Sequence, residues 1–331
     1  GRMATTLATR YVPTELGIEG TFNEISIGFI PPSLTVHNPK LQVRARNALG
    51  LPEGSQIGAQ EVNLVFRFFQ MLSGQVQVDR VIVSRGDVRL SYARFDRDSR
   101  GDDSKPLSAL LPKWDDLLRI RTRAVELNDT TVFISAEDPK MSVGFKAERL
   151  SLEKGRDEDG NAVVATEFEV RDLRGEPPKG VGVPNQLDLV RASASVGGRR
   201  IVFYELLVER QGVALSLSGE VKGDWLHPSE PVLLESQVKF TGQSQSILAI
   251  AADSLQLPAG LKENFRGEIG FAGKISANLI DPLKTLELSG ALTSDKIAFR
   301  EWTANRLVAD LNWRASAAGG AVQVRKVVIE S

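Results

Sequence analysis

The stretch Gly74-Gln75-Val76-Gln77-Val78-Asp79-Arg80-Val81-Ile82-Val83 decides the fold, because the chain uses it again. Further along it reads Gly320-Ala321-Val322-Gln323-Val324-Arg325-Lys326-Val327, and five of these eight aligned positions are identical. A fainter echo comes 44 residues after the first copy, where Val76, Val81, Val83, Val88 and Leu90 fall on Ile120, Val125, Leu127, Val132 and Ile134. Apolar residues two apart mark a strand with one apolar face. The recurring V-x-V-x-x-V-x-V unit changes parity once, between its second and third apolar residues. Two readings fit: a bulge inside one bent strand, or a break between two short ones. Repetition of such a unit predicts a stacked array of strands rather than one closed core.

The same period runs outward in both directions. Ile25, Ile27 and Phe29 alternate, as do Leu34 and Val36 beyond the Pro31-Pro32 break. Val62, Leu64 and Phe66 follow, then Val88, Leu90 and Tyr92, Val125 and Leu127, Val132 and Ile134, Val143 and Phe145, and Leu150 and Leu152. Leu187 and Leu189, Ile201 and Phe203, Val213, Leu215 and Leu217, Val238 and Phe240, Leu286 and Leu288, and residues 307–311 and 322–329 complete the series. This spacing predicts on the order of fifteen to eighteen strands. Turn chemistry such as Arg85-Gly86-Asp87 and Asp159-Gly160-Asn161 separates them. Helix is expected only at residues 66–72, at 107–118 behind Pro106, and at 246–255 with Ser244 or Ser246 as N-cap. No strand–helix rhythm supports a doubly wound sheet. The expected fold is all-β: an elongated, curled antiparallel sheet with a few short helices, one continuous module in two segments, 1–175 and 176–331.

Composition narrows the chemistry. Forty-one Lys and Arg face forty-two Asp and Glu, a net charge of −1 without the basic excess of a nucleic-acid binder. There is no Cys, so thiol chemistry, disulfides and cysteine zinc sites are excluded. The two His, His37 and His227, are 190 residues apart. No nucleophile elbow, phosphate loop or H-E-x-x-H sequence accompanies either one, so the reading is not an enzyme. No apolar run reaches the roughly 18 residues of a membrane-spanning helix. The acidic loops at 96–103 and 156–160 lack EF-hand spacing and read as solvated, and no metal is expected. Asp115-Asp116 reads as a surface pair, and Trp114, Trp225, Trp302 and Trp313 as rim or local packing. Gly1-Arg2-Met3 reads as a cloning remnant, so the chain is expected to be a piece of a longer repetitive parent.

Some sixteen strands in one sheet would extend roughly 75 Å. Open sheets of that size curl or split, and their apolar faces have to be covered. A sandwich or solenoid would cover them from within; a trough would leave them to a ligand. The spacing leaves both open.

The run Ile25-Ser26-Ile27-Gly28-Phe29-Ile30-Pro31-Pro32-Ser33-Leu34-Thr35-Val36-His37-Asn38-Pro39-Lys40-Leu41 resembles the start of the periplasmic region of AsmA-like and TamB-like proteins. Residues 59–66, then Leu72-Ser73-Gly74 running into Val76 to Val83, then Val88-Arg89-Leu90, resemble the family's next segment. Residues 242–255, Phe265-Arg266-Gly267-Glu268-Ile269, Gly273-Lys274-Ile275-Ser276, Asp281-Pro282 and Leu288-Ser289-Gly290 resemble its interior repeats. The resemblance implies a curled β-groove of the bridge-like lipid-transfer kind. Such a groove holds phospholipid acyl chains and carries them between the inner and outer membranes. It implies location in the periplasm of a Gram-negative bacterium, an inner-membrane anchor outside this chain, an outer-membrane protein partner, and no cofactor other than phospholipid cargo. The groove-lining candidates are Ile25, Ile27, Phe29, Val62, Leu64, Phe66, Val76, Val78, Val88, Leu90, Val125, Leu127, Val132, Ile134, Val143, Phe145, Leu215, Leu217, Val238, Phe240, Leu286, Leu288, Val322 and Val324. The alternative is an assembly factor that adds a sheet edge to outer-membrane β-barrel substrates.

Overall fold

The structure is a computed structural model. It describes residues 18–44, 53–67, 78–92, 122–137, 140–176, 185–224, 231–252, 265–299, 301–315 and 321–330. The expected helix at 107–118, most of that at 66–72, and Val76, Ile120, Trp114, Asp115, Asp116, Trp225 and His227 lie outside these residues.

The chain is all-β, as its spacing predicts, and divides into two compact units, Gly1–Leu187 and Asp188–Ser331. The first holds β1 (Ile18–Thr21), β2 (Glu24–Phe29), β3 (Pro32–His37), β4 (Lys40–Val43), β5 (Gln56–Phe66), β6 (Val78–Tyr92), β7 (Ala124–Ala136), β8 (Met141–Arg156) and β9 (Ala162–Glu176). The second holds β10 (Gln186–Gly197, from its third residue), β11 (Arg200–Arg210), β12 (Val213–Lys222), β13 (Leu233–Gln243), β14 (Phe265–Asn278), β15 (Glu287–Phe299), β16 (Trp302–Arg314) and β17 (Ala321–Glu330). Among the described residues two helices interrupt the second unit, α1 (Ser244–Ala252) near the expected 246–255 and the single turn α2 (Pro282–Thr285).

In the second unit β10 to β17 form an antiparallel meander in chain order. Its connections use the expected turn chemistry. Between β11 and β12, Gln211 and Gly212 both take positive φ (50° and 76°), the two-residue turn whose twist matches the flanking strands.

The first unit departs from a meander twice. Strands β3 and β4 lie end to end along one edge of β5, with β2 beside β3 and β1 beside β4. On the other edge β5 pairs with β6, and β6 pairs with β7 in parallel. The sheet is antiparallel, as expected, with this pair as a local exception. The 44-residue echo is the parallel register itself: Val81 pairs Val125, Val83 pairs Leu127, Val88 pairs Val132 and Leu90 pairs Ile134. The sequence between Tyr92 and Ala124 is long enough for the crossover that a parallel pair requires. Strands β8 and β9 complete the unit, joined by the expected Asp159-Gly160-Asn161 turn with Gly160 at φ 82°.

The parity change in the repeated unit is a bulge. Val65 pairs Arg80 but Phe66 pairs Val78, so Asp79 is the extra residue of β6. In β17, Asp310 pairs Lys326 and Leu311 pairs Val324, so Arg325 is the extra residue at the equivalent place. Both copies therefore keep their apolar residues on one side of the sheet despite the odd spacing.

Arg85-Gly86-Asp87 is not a turn, contrary to its sequence signal. It lies inside the continuous strand β6, with Arg85 at φ 51°. In register with it stand Asn38 (φ 50°) between β3 and β4, Gln60 in β5 and Asp129 (φ 48°) in β7, with Asp172 (φ 52°) near the same line in β9. Left-handed Asn38, Arg85 and Asp129 at one level of the sheet mark a crease in this unit, at which the alternation of faces is reset. Val125–Leu127 and Val132–Ile134, read from sequence as two runs, are the two halves of β7 on either side of it.

Candidate functional site

Strand pairing places directly opposed residues on the same side of a sheet. In the first unit this aligns Ile25, Val36, Val62, Val83, Leu127, Leu150 and Phe168 across seven strands, with Ile27, Leu34, Leu64, Val81, Val125 and Leu152 alongside. Phe66 and Val78 pair beyond them, across the bulge. Past the crease Leu41, Ile57, Val88, Val132 and Phe145 form one row, with Leu90, Ile134 and Val143 beside it.

The two halves turn to the same side. A Cβ on Gly86, which shares its face with Val88, would lie 3.1 Å from Val83 Cγ1 and 3.0 Å from Thr130 Cγ2. The left-handed Arg85 thus offsets the odd spacing between Val83 and Val88. Thr130 seals the inside of the crease: it is fully buried, accepts from Gly86 N–H at 3.3 Å and donates to the Asn128 carbonyl at 3.0 Å.

In the second unit Leu206, Leu217, Val238, Gly273, Gly290, Leu311 and Val324 form one row. Val208, Leu215, Phe240, Phe271, Leu292, Ala309 and Val327 form the next. Leu288 lies on the same side beside Ile275 and Trp313, and Val322 pairs with Trp313 in register. Leu286 precedes β15, its carbonyl accepting from Ala315 N–H at 2.8 Å.

The candidate residues of each unit thus gather on one side, Val76 and the Val322 side chain being undescribed. The candidate set leaves out Leu34, Val36, Val81, Val83, Leu150, Leu152 and Phe168 in the first unit and Leu206, Val208, Phe271 and Leu311 in the second, although Leu34, Val36, Leu150 and Leu152 alternate in the sequence as the candidates do. Register joins them to the candidates, because directly paired residues share a side.

Most of this apolar side is half-buried. In the seven-strand row only Val83 is buried, and Ile25, Val36, Val62, Leu127, Leu150 and Phe168 all retain accessible surface. Lys154, on the same side two residues beyond Leu152 and opposite Val164, has its ammonium pKa pushed down by burial.

The other side of each sheet is charged. In the first unit it carries cross-strand pairs such as Arg80–Glu126 (3.0 Å), Arg123–Glu153 (2.5 Å) and Lys146–Asp129 (2.9 Å). Lys146 holds the Asp129 carboxyl below its ordinary range by hydrogen bond and charge. In the second unit Glu220 lies between Lys222 (2.5 Å) and Arg200 (2.9 Å), both of which lower its pKa, and Arg314 meets Glu287 at 2.7 Å. A concavity of about 730 Å³ opens on this charged side, lined by Arg200, Glu220, Glu235, Lys274 and Arg314 among others. It is a polar dish, unsuited to acyl chains.

The loop at 156–160 closes on itself, Asp157 accepting from Asn161 N–H at 2.7 Å. No group of His, Asp and Glu suited to a metal ion occurs among the described residues. His37 shares an exposed 3.1 Å hydrogen bond with Ser26. No helix among the described residues is long and apolar enough to cross a membrane.

These units define a class of all-β protein: open, curled sheets with one apolar and one ion-paired side. Compared with known proteins, the chain matches no family model, no curated protein and no solved structure.

Proposed function

We propose that this chain is a non-catalytic lipid carrier. Phospholipid acyl chains lie along the apolar side of its sheets and move between two membranes of a bacterial envelope. The observation that carries this reading is the row Ile25–Val36–Val62–Val83–Leu127–Leu150–Phe168, in which every member but Val83 retains accessible surface. A sandwich core would bury such residues, whereas a lipid-lined face keeps them accessible to a mobile ligand. Each buried methylene contributes about 0.8 kcal/mol, and a lining of near-equivalent Val, Leu and Ile positions gives no single place much advantage. A chain can be held there and still slide. Periplasmic location, an inner-membrane anchor outside this chain and an outer-membrane protein partner belong to the same proposal, supported by the AsmA-like and TamB-like resemblance.

Native mass spectrometry of detergent-free protein, with lipid extraction of the same sample, tests the reading. Several phospholipids per chain are expected, with the load falling in Leu127→Glu and unchanged in Arg149→Gln on the charged side. A lipid-free mass with nothing extractable would sink the proposal.

The second reading, assembly of outer-membrane β-barrels by strand addition, draws on β17. Its residues 323–330 are all exposed, with Val324, Val327 and Ile329 each more than half exposed on an outer strand. A proline in β17 that abolishes substrate binding while leaving lipid load intact would favour it.

A further inference from the structure

The tip of the β2–β3 hairpin is the most exposed apolar stretch among the described residues of the first unit. Phe29 is 81% exposed, Ile30 96% and, behind them, Ile27 52%. Residues 25–36 contain no Asp, Glu, Lys or Arg, in a chain that is 25% charged. Ser26, Ser33 and Thr35 are their hydroxyl side chains, and the rest are apolar or glycine.

The backbone is prepared in the same way. Pairing runs to the last residues before the turn, Phe29 with Pro32, so the ladder is maintained up to the tip. Pro31 and Pro32 have no N–H, so two of the donors that a turn would normally present to water are missing. A segment entering an apolar medium needs this economy of donors. The tip is also convex. It offers a protein partner no concavity to fill, whereas the boundary between lipid headgroups and acyl chains yields to a protruding wedge.

We propose that Phe29 and Ile30 insert into the interface of a phospholipid bilayer and dock the first unit on the membrane. This goes beyond the carrier reading, because docking requires no lipid on the apolar side of the sheet. The strand register puts this tip at the end of the sheet that carries Arg67, Arg123 and Lys154. Arg67 is paired with Asp79 at 3.0 Å and Arg123 with Glu153 at 2.5 Å, so two of these three cations already have a carboxylate partner and apolar insertion leads.

The chain has no cysteine, so Ile30→Cys creates a unique labelling site. An environment-sensitive fluorophore there should brighten and shift to the blue on phosphatidylcholine vesicles, and be quenched by bromine-labelled acyl chains. The same probe at Gln211→Cys, in the turn between β11 and β12, should not respond. The double variant Phe29→Asp/Ile30→Asp should lose about tenfold or more in vesicle partitioning. The loss should be similar in about 0.1 and 0.5 M salt, in vesicles with or without phosphatidylglycerol. Both side chains are exposed, and an unchanged unfolding midpoint certifies the variant's fold. An unresponsive Ile30 probe, or a double variant that binds vesicles as the parent does, overturns the proposal. So does binding that depends on phosphatidylglycerol and vanishes in salt. A response without vesicles that grows with protein concentration overturns it in favour of a second copy of this chain. Co-purified lipid is measured separately, so the carrier reading can stand while docking fails, and the reverse.

Discussion

A methyl group at Gly86 would be tightly crowded. A Cβ there would meet Thr130 Cγ2 at 3.0 Å, Val83 Cγ1 at 3.1 Å and the Gly58 carbonyl at 3.2 Å, inside the crease of the first unit. Gly86→Ala should therefore destabilise the chain by about 1–3 kcal/mol through overpacking. Thr130→Ser keeps the hydroxyl that accepts from Gly86 N–H and removes the crowding methyl. In Gly86→Ala/Thr130→Ser the cost should shrink below the sum of the single changes, read from denaturant unfolding as a double-mutant cycle. Strict additivity would show that the two groups do not crowd each other. The same site explains a misreading of the sequence. Left-handed backbone next to glycine serves a turn or a crease equally well. Only the register of β5 and β7 on either side of Arg85 distinguishes the two.

At the scale of the strand, the repeated unit was legible and its geometry was half legible. The identities between residues 74–81 and 320–327 carry a bulge in the same place, at Asp79 and Arg325. Spacing alone could not separate a bulge from a break, because both change parity. The direction of β7 was present in the sequence but unread. Two copies that pair with each other at a constant offset of 44 must run parallel, since antiparallel partners hold a constant sum of residue numbers instead. The bulge carries a prediction. Asp79→Gly keeps the extra residue and loses the 3.0 Å bond from Arg67, a partly solvated pair worth about 1 kcal/mol. Deleting Asp79 removes the extra residue and turns either Val78 or the Val81–Val83 pair to the charged side. That should cost roughly 3 kcal/mol or more, because a one-residue slip exchanges faces. Urea unfolding of the two variants compares them, and equal costs would mean that the bulge does not set the alternation.

Across the whole molecule, apolar and charged sides are sorted by register within each unit, and this sorting was only partly visible in the sequence. The lining candidates came from period two within single strands. What joins Val62 to Val83, Leu127 and Leu150 is strand pairing, which no local window contains. The balance of forty-one cations against forty-two anions takes a structural meaning here, since several of these charges meet as cross-strand pairs on the side away from the apolar rows. A face of half-buried Val, Leu and Phe left to water has a cost that its ligand removes, so stability and cargo are linked. A ligand at about 100 times its Kd adds roughly 2.7 kcal/mol to the folded state, and several ligands add more. Delipidated protein should therefore unfold at lower denaturant than the protein as isolated, and bind more of a dye that brightens on apolar surface. Returning phospholipid should reverse both changes, while glycerol phosphate, with the same headgroup chemistry but no acyl chain, should reverse neither. Identical unfolding midpoints and dye binding before and after delipidation would mean that the apolar sides are covered by the protein itself.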